Sequence, residues 1–77
     1  MSKLEYYMNL NYKMVIEKDD NGTFLLYFPE LPGCITSGHT AEEAIRNAED
    51  AKREWFTACL ESNVTIPFPT EKMVALS

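Results

Sequence analysis

The sequence predicts an α+β domain: a three-stranded antiparallel sheet, one long helix packed on one of its faces, and a short helix at the N-terminus. Three observations carry this. Two runs of alternating apolar residues are joined by Asp19-Asp20-Asn21-Gly22. The corner Phe28-Pro29-Glu30-Leu31-Pro32-Gly33-Cys34 breaks the second run, and an apolar stripe of helical period opens after Thr40. A last stretch, Lys72 to Leu76, has the composition of a fourth strand, added to the same sheet or to a neighbour's.

Ser2 to Leu10 places Leu4, Tyr7 and Met8 at helical spacing, with Ser2 as N-cap and Glu5 three residues on. Tyr12 to Lys18 alternates, with Tyr12, Met14 and Ile16 on one face and Lys13, Val15 and Glu17 on the other, the pattern of a strand with one buried face. Asp19-Asp20-Asn21-Gly22 signals a hairpin, because Asn-Gly tolerates the positive φ of a tight turn.

Thr23 to Phe28 returns as the second strand, directing Phe24, Leu26 and Phe28 to one side. Leu25 and Tyr27 leave its other side partly apolar, which suits cover by another subunit. Pro29 cannot donate to a ladder, and Pro32-Gly33 turns the chain into a short third strand, Cys34 to Ser37, stopped by Gly38.

Thr40 caps the long helix, and Glu43 is placed to reach back and complete a capping box. Glu42 and Glu43 also favour the positive end of the helix dipole. Ala41, Ala44, Ala48, Ala51, Trp55 and Cys59, flanked by Ile45 and Phe56, form the buried stripe. On the solvent side Glu42 precedes Arg46 and Glu49 precedes Arg53 in the favourable order, each pair worth about 0.2–0.5 kcal/mol. Glu61-Ser62-Asn63 ends the helix, and Ile66-Pro67-Phe68-Pro69 is rigid and extended. The organisation is therefore a single domain: residues 2–10 a leading helix, 12–69 the core, 70–77 a tail or an exchanged strand.

At 77 residues, one core is close to the smallest that sustains folding. Chains of this size add disulfides, a metal or a subunit interface. Cys34 and Cys59 lie far apart and make no metal-ligand spacing with His39, so they read as small buried hydrophobes. Oligomerisation, as a dimer or tetramer, is the expected remedy. The net charge of −5 argues against direct grip on nucleic acid and suits a basic protein partner. No segment has the apolar length of a signal peptide or a membrane span, and with two unpaired cysteines the expected compartment is the cytoplasm.

No catalytic, cofactor or metal site is expected. His39 next to the helix cap makes a Cys34/His39 pair conceivable, but no orienting third group suggests itself and His39 reads as a surface residue. Asp19-Asp20-Asn21 lacks the bidentate glutamate of a calcium loop. Gly22, Gly33 and Gly38 serve turns and make no phosphate-binding pattern. The candidate contact residues for a protein partner are Glu30 and Leu31 in the Pro-rich corner and Glu42, Glu49 and Asp50 on the helix, although any one helix acid taken singly is better read as solvating the helix.

Ile16-Glu17-Lys18-Asp19, Tyr27-Phe28-Pro29-Glu30-Leu31-Pro32-Gly33-Cys34, Thr36-Ser37-Gly38, the run from Thr40 to Ala48, Trp55 and Ile66-Pro67 together resemble the N-terminal domain of the HicB antitoxin family. The resemblance runs from about Tyr12 to Pro69. It implies a partial ribonuclease H-like fold, assembly as dimers or higher oligomers, and binding to HicA, a small basic toxin that cleaves messenger RNA. Family members that continue further carry an operator-binding segment; this chain stops at Ser77 and resembles the short form, so operator binding is not carried over. The position of His39 is commonly acidic in the family, which weakens the Cys/His pair further. The alternative reading is a stand-alone oligomeric scaffold or a regulatory module for a small ligand.

Overall fold

The computed structural model describes residues 2–70. Helix α1 (Lys3–Met8) leads into an antiparallel sheet of β1 (Val15–Lys18), β2 (Phe24–Tyr27) and β3 (Ile35–Gly38), in that spatial order, and helix α2 (Ala41–Glu61) follows. The α+β class and the three-stranded sheet are as the sequence predicts. The predicted fourth strand, Lys72 to Leu76, lies outside the described residues.

Each short element is held by a local device. The Ser2 hydroxyl accepts from the Glu5 amide at 3.1 Å and the Glu5 carboxylate accepts from the Ser2 amide at 3.3 Å, a complete capping box. The β1–β2 hairpin is organised by Asp19, whose carboxylate accepts from the amides of Asn21 and Thr23 at 2.9 Å each. Asp19 and Thr23 also pair through the backbone, so Asp20, Asn21 and Gly22 form a three-residue loop. Of these only Gly22 takes a positive φ, 86°.

The corner after β2 is two successive turns, each with proline in its second position. The Leu31 amide donates to the Phe28 carbonyl at 2.9 Å, and the Cys34 amide to the Leu31 carbonyl at 3.0 Å. Gly33, at φ 84°, gives the second turn its type II geometry. Leu31 stands where the turns meet and its side chain points inward with 0% exposure.

Strand register explains the two faces of the sheet. Ile16, Leu26 and Thr36 align in one row and Lys18, Phe24 and Gly38 in another, both on the side that carries α2. Val15, Tyr27 and Ile35 form a row on the opposite side, beside Glu17, Leu25 and Ser37. The core lies between sheet and helix: Tyr12, Leu26, Phe28, Leu31, Cys34, Ala44, Ala48, Phe56 and Ile66 are buried. Phe56 is its centre, with the rings of Tyr7, Tyr12 and Trp55 between 5.5 and 5.8 Å away.

Several expectations need correction. The first strand begins at Val15 instead of Tyr12, and its predicted buried face is buried only at Tyr12: Met14 and Ile16 are each 37% exposed. The cause is lateral placement, since α2 packs against β3 and β2 and leaves the edge strand uncovered. Ile45, assigned to the buried stripe, is exposed, while Lys52 is only 7% exposed. The Lys52 stem runs along the core, with its ammonium 5.5 Å from the centre of the Phe28 ring and 3.9 Å from the Glu49 carboxylate. Glu49 therefore pairs with Lys52, and neither Glu42–Arg46 nor Glu49–Arg53 closes as an ion pair. The α2 cap is also modified: Thr40 accepts from the Glu43 amide as predicted, but the Glu43 carboxylate accepts from the His39 amide, one residue before the cap.

Asn63, in the left-handed region at φ 56°, stops α2, and the Val64 amide donates back to the Cys59 carbonyl at 2.9 Å. At the other end, Gly38 sets the distance between helix and sheet. A Cβ at Gly38 would lie 2.5 Å from the Ala44 backbone nitrogen and 3.0 Å from its Cα. Gly38→Ala should therefore destabilise the domain by about 1–3 kcal/mol through overpacking, seen as a lower denaturant midpoint at unchanged slope. An unchanged midpoint would show that the helix has room to withdraw.

Candidate partner-binding surfaces

The five residues proposed as partner contacts fall into three environments. Leu31 is a core side chain and presents no surface for a partner, because the double turn aims it inward. Glu30, its neighbour, points outward and works as a junction. One carboxylate oxygen accepts from the Lys13 amide at 2.8 Å; the other accepts from the Thr70 amide at 2.8 Å and the Thr70 hydroxyl at 2.6 Å. Glu42, Glu49 and Asp50 are exposed on the outer side of α2.

The Glu30 junction ties three distant pieces of chain together: the segment before β1, the corner after β2, and the segment after α2. A second bond supports it, from the Tyr12 hydroxyl to the Pro67 carbonyl at 2.6 Å, and Ile66 is buried beneath. Phe68 stacks on Tyr7 with ring centres 6.0 Å apart. Burial opposes ionisation of Glu30. The hydrogen bonds from Thr70 and Lys13, with the charge of Lys13 nearby, outweigh it and hold the carboxyl below its ordinary value. Tyr12 is shifted the other way, to about 12, by burial and by Tyr7, Glu30 and Tyr6 around it. Sequence reasoning singled out Glu30 for its exposed turn position and missed its role. Thr70 lies 40 residues away, and only the fold brings them together.

The outer side of α2 is acidic on balance: Glu42, Glu49, Asp50 and Glu54 stand beside Arg46 and Arg53, all exposed. Its flanks are tied to the sheet. Asn47 donates to the Ser37 carbonyl at 2.9 Å, and the Trp55 indole donates to the Pro32 carbonyl at 2.9 Å. Cys34 is buried, and desolvation raises its thiol pKa against the pull of Lys52. His39 is exposed, with its backbone engaged by Glu43. Among the described residues no three His, Cys, Asp or Glu side chains converge in a way that could hold a metal ion. No helix among them is long and apolar enough to cross a membrane.

What the fold presents, then, is a small α+β module with an acidic helix face on one side and a largely uncharged sheet face on the other. Residues 12–76 match the model of the HicB-like antitoxin of bacterial toxin–antitoxin systems, and the chain belongs to that family. It is 36% identical over 58 residues to a UPF0150 protein of Thermoplasma acidophilum, covering 75% of this chain and 84% of that one. It is also 36% identical over 61 residues to antitoxin HicB 1 of Photorhabdus laumondii, covering 79% of this chain but 39% of the antitoxin. A UPF0150 protein of Helicobacter pylori is 51% identical over 37 residues, 48% of this chain and 50% of its own. The match thus spans most of the Thermoplasma relative and less than half of the named antitoxin. Helix α1 precedes the matched region.

The junction generates a prediction. Because the folded-state pKa of Glu30 is depressed, its stabilising contribution is complete above the ordinary carboxylate range and is lost as pH falls from that range through the lower folded value. Glu30→Ala should cost about 1 kcal/mol, the value of charge-assisted bonds discounted for partial exposure. It should also lower the protection of the Lys13 and Thr70 amides against hydrogen exchange, measured against their intrinsic rates at neutral pH. Unchanged exchange at both amides would show that the junction does not hold the segment.

Proposed function

We propose that this chain is an antitoxin that assembles with copies of itself and neutralises a small, basic, HicA-type messenger-RNA-cleaving toxin by binding it. Family membership supports the class of role, and the acidic outer face of α2 is the observation that carries the partner's chemistry. Opposite charge steers encounter and penalises wrong partners, so a lysine- and arginine-rich surface fits a face bearing Glu42, Glu49 and Asp50. Leu31 drops out of the contact set because it is buried, and Glu30 is already engaged by Lys13 and Thr70.

The test is capture of a small basic protein encoded beside this one, together with relief of its toxicity on co-expression. Glu42→Lys with Asp50→Lys, leaving the Lys52 partner Glu49 in place, should lower the association rate by about tenfold at low salt and flatten its salt dependence. Capture unaffected by the double reversal would move the contact away from α2. Absence of capture by the unmodified chain would overturn the antitoxin reading itself.

A further inference from the structure

We propose that the sheet face turned away from α2 is the contact between two copies of this chain. The proposal rests on the self-assembly inferred above and names its surface. Val15, Tyr27 and Ile35 lie side by side across the three strands on this face, with Leu25 beside them, and Ile35 is 58% exposed. Glu17 is the one charged side chain in the two rows. On the α2 side, Leu26 and Phe24 already serve the core, and only the β1 members of those rows stay open.

The distribution of charge selects a second copy as the occupant. A chain of net charge −5 repels its own kind wherever its acids meet. Copies joined through the far sheet face hold their acidic α2 faces on opposite outer sides, at the greatest separation this two-layer fold allows. A basic partner finds little to pair with on a face whose single charge is Glu17, whereas an identical apolar row is matched by itself about a two-fold axis.

Edge-to-edge pairing is the competing way for two sheets to join, and both edges resist it. The helix closes over the β3 edge, where Asn47 occupies the Ser37 carbonyl and Gly38 lies against Ala44. The β1 edge is flanked by Lys13, Glu17, Lys18, Asp19 and Asp20, charges of the kind that discourage strand addition. Face-to-face packing of two sheets, inner side chains interleaved, remains the route by which this sheet can bury its second side.

Sedimentation of the unmodified protein, Ile35→Glu, Ser37→Glu and Ile45→Glu tests this without any toxin present. Ile35, Ser37 and Ile45 are all exposed in the single chain, so each variant should keep native circular dichroism. The unmodified chain and Ile45→Glu, altered on the α2 side, should sediment as a two-copy species. Ile35→Glu and Ser37→Glu should weaken association by at least about a hundredfold, because each would bury a further acid on a face whose two rows already carry Glu17 and hold no cation. A single-copy unmodified protein overturns self-assembly and this proposal with it. An assembly that survives both far-face variants, or is broken by Ile45→Glu, overturns the assignment of the face and leaves self-assembly standing.

Discussion

The approach of α2 to β3 at Gly38 and Ala44 governs the rest of this structure. Helix backbone and strand backbone meet there with no side chain between them, and a single methyl at Gly38 would collide with the Ala44 nitrogen. Ala48, one turn on, continues the close contact. Because the helix is anchored at the β3 side of a three-stranded sheet, it covers β3 and β2 and leaves β1 half bare, which is why Ile16 stays exposed on the helix side. The aromatic end of the helix then has space beneath it, filled by Phe56, Tyr7 and Tyr12. One small-residue contact thus sets the tilt of the helix, the site of the core and the outward direction of the acidic face.

Against that geometry, the parts of the sequence that proved legible are those decided locally. Caps, turns and strand alternation depend on residues within four positions of one another, so Ser2, Thr40, the Asp19 hairpin, Gly33 and the end of α2 near Asn63 all read true. Lateral placement is different. Alternation in Met14, Val15 and Ile16 shows that a strand has two faces, yet it cannot say whether a helix covers them. The same blindness misplaced Ile45 and overlooked Lys52, whose long stem lets a charged residue occupy a core position with its ammonium over Phe28 and near Glu49. The predicted Glu49–Arg53 pair failed for a related reason: Glu49 meets Lys52 one turn away.

The candidate contact residues divide along the same line. Glu42, Glu49 and Asp50 are legible as solvent-facing because helical period alone places them. Leu31 and Glu30 sit in a double turn, where adjacent side chains diverge and only the three-dimensional path shows which one enters the core. Glu30 is the sharper case. Its value lies in joining Lys13 and Thr70, and nothing local marks a carboxylate whose partners are 17 and 40 residues distant.

These placements give the domain a division of labour rooted in elementary electrostatics. A small chain that must bury more surface and also attract a cationic partner faces conflicting demands, since apolar patches invite self-association and acidic ones resist it. For the proposed antitoxin, geometry resolves that conflict. The acids are carried by a helix on one side of the sheet, and the spare apolar row by the strands on the other. The Glu30 junction, with Tyr12 and Ile66, fastens the stretch from Ile66 to Thr70 to the segment before β1 and to the corner after β2. A partner drawn to α2 and a second copy seated on Val15, Tyr27 and Ile35 would therefore not compete, and occupation of the sheet face would leave the charge on α2 free to act.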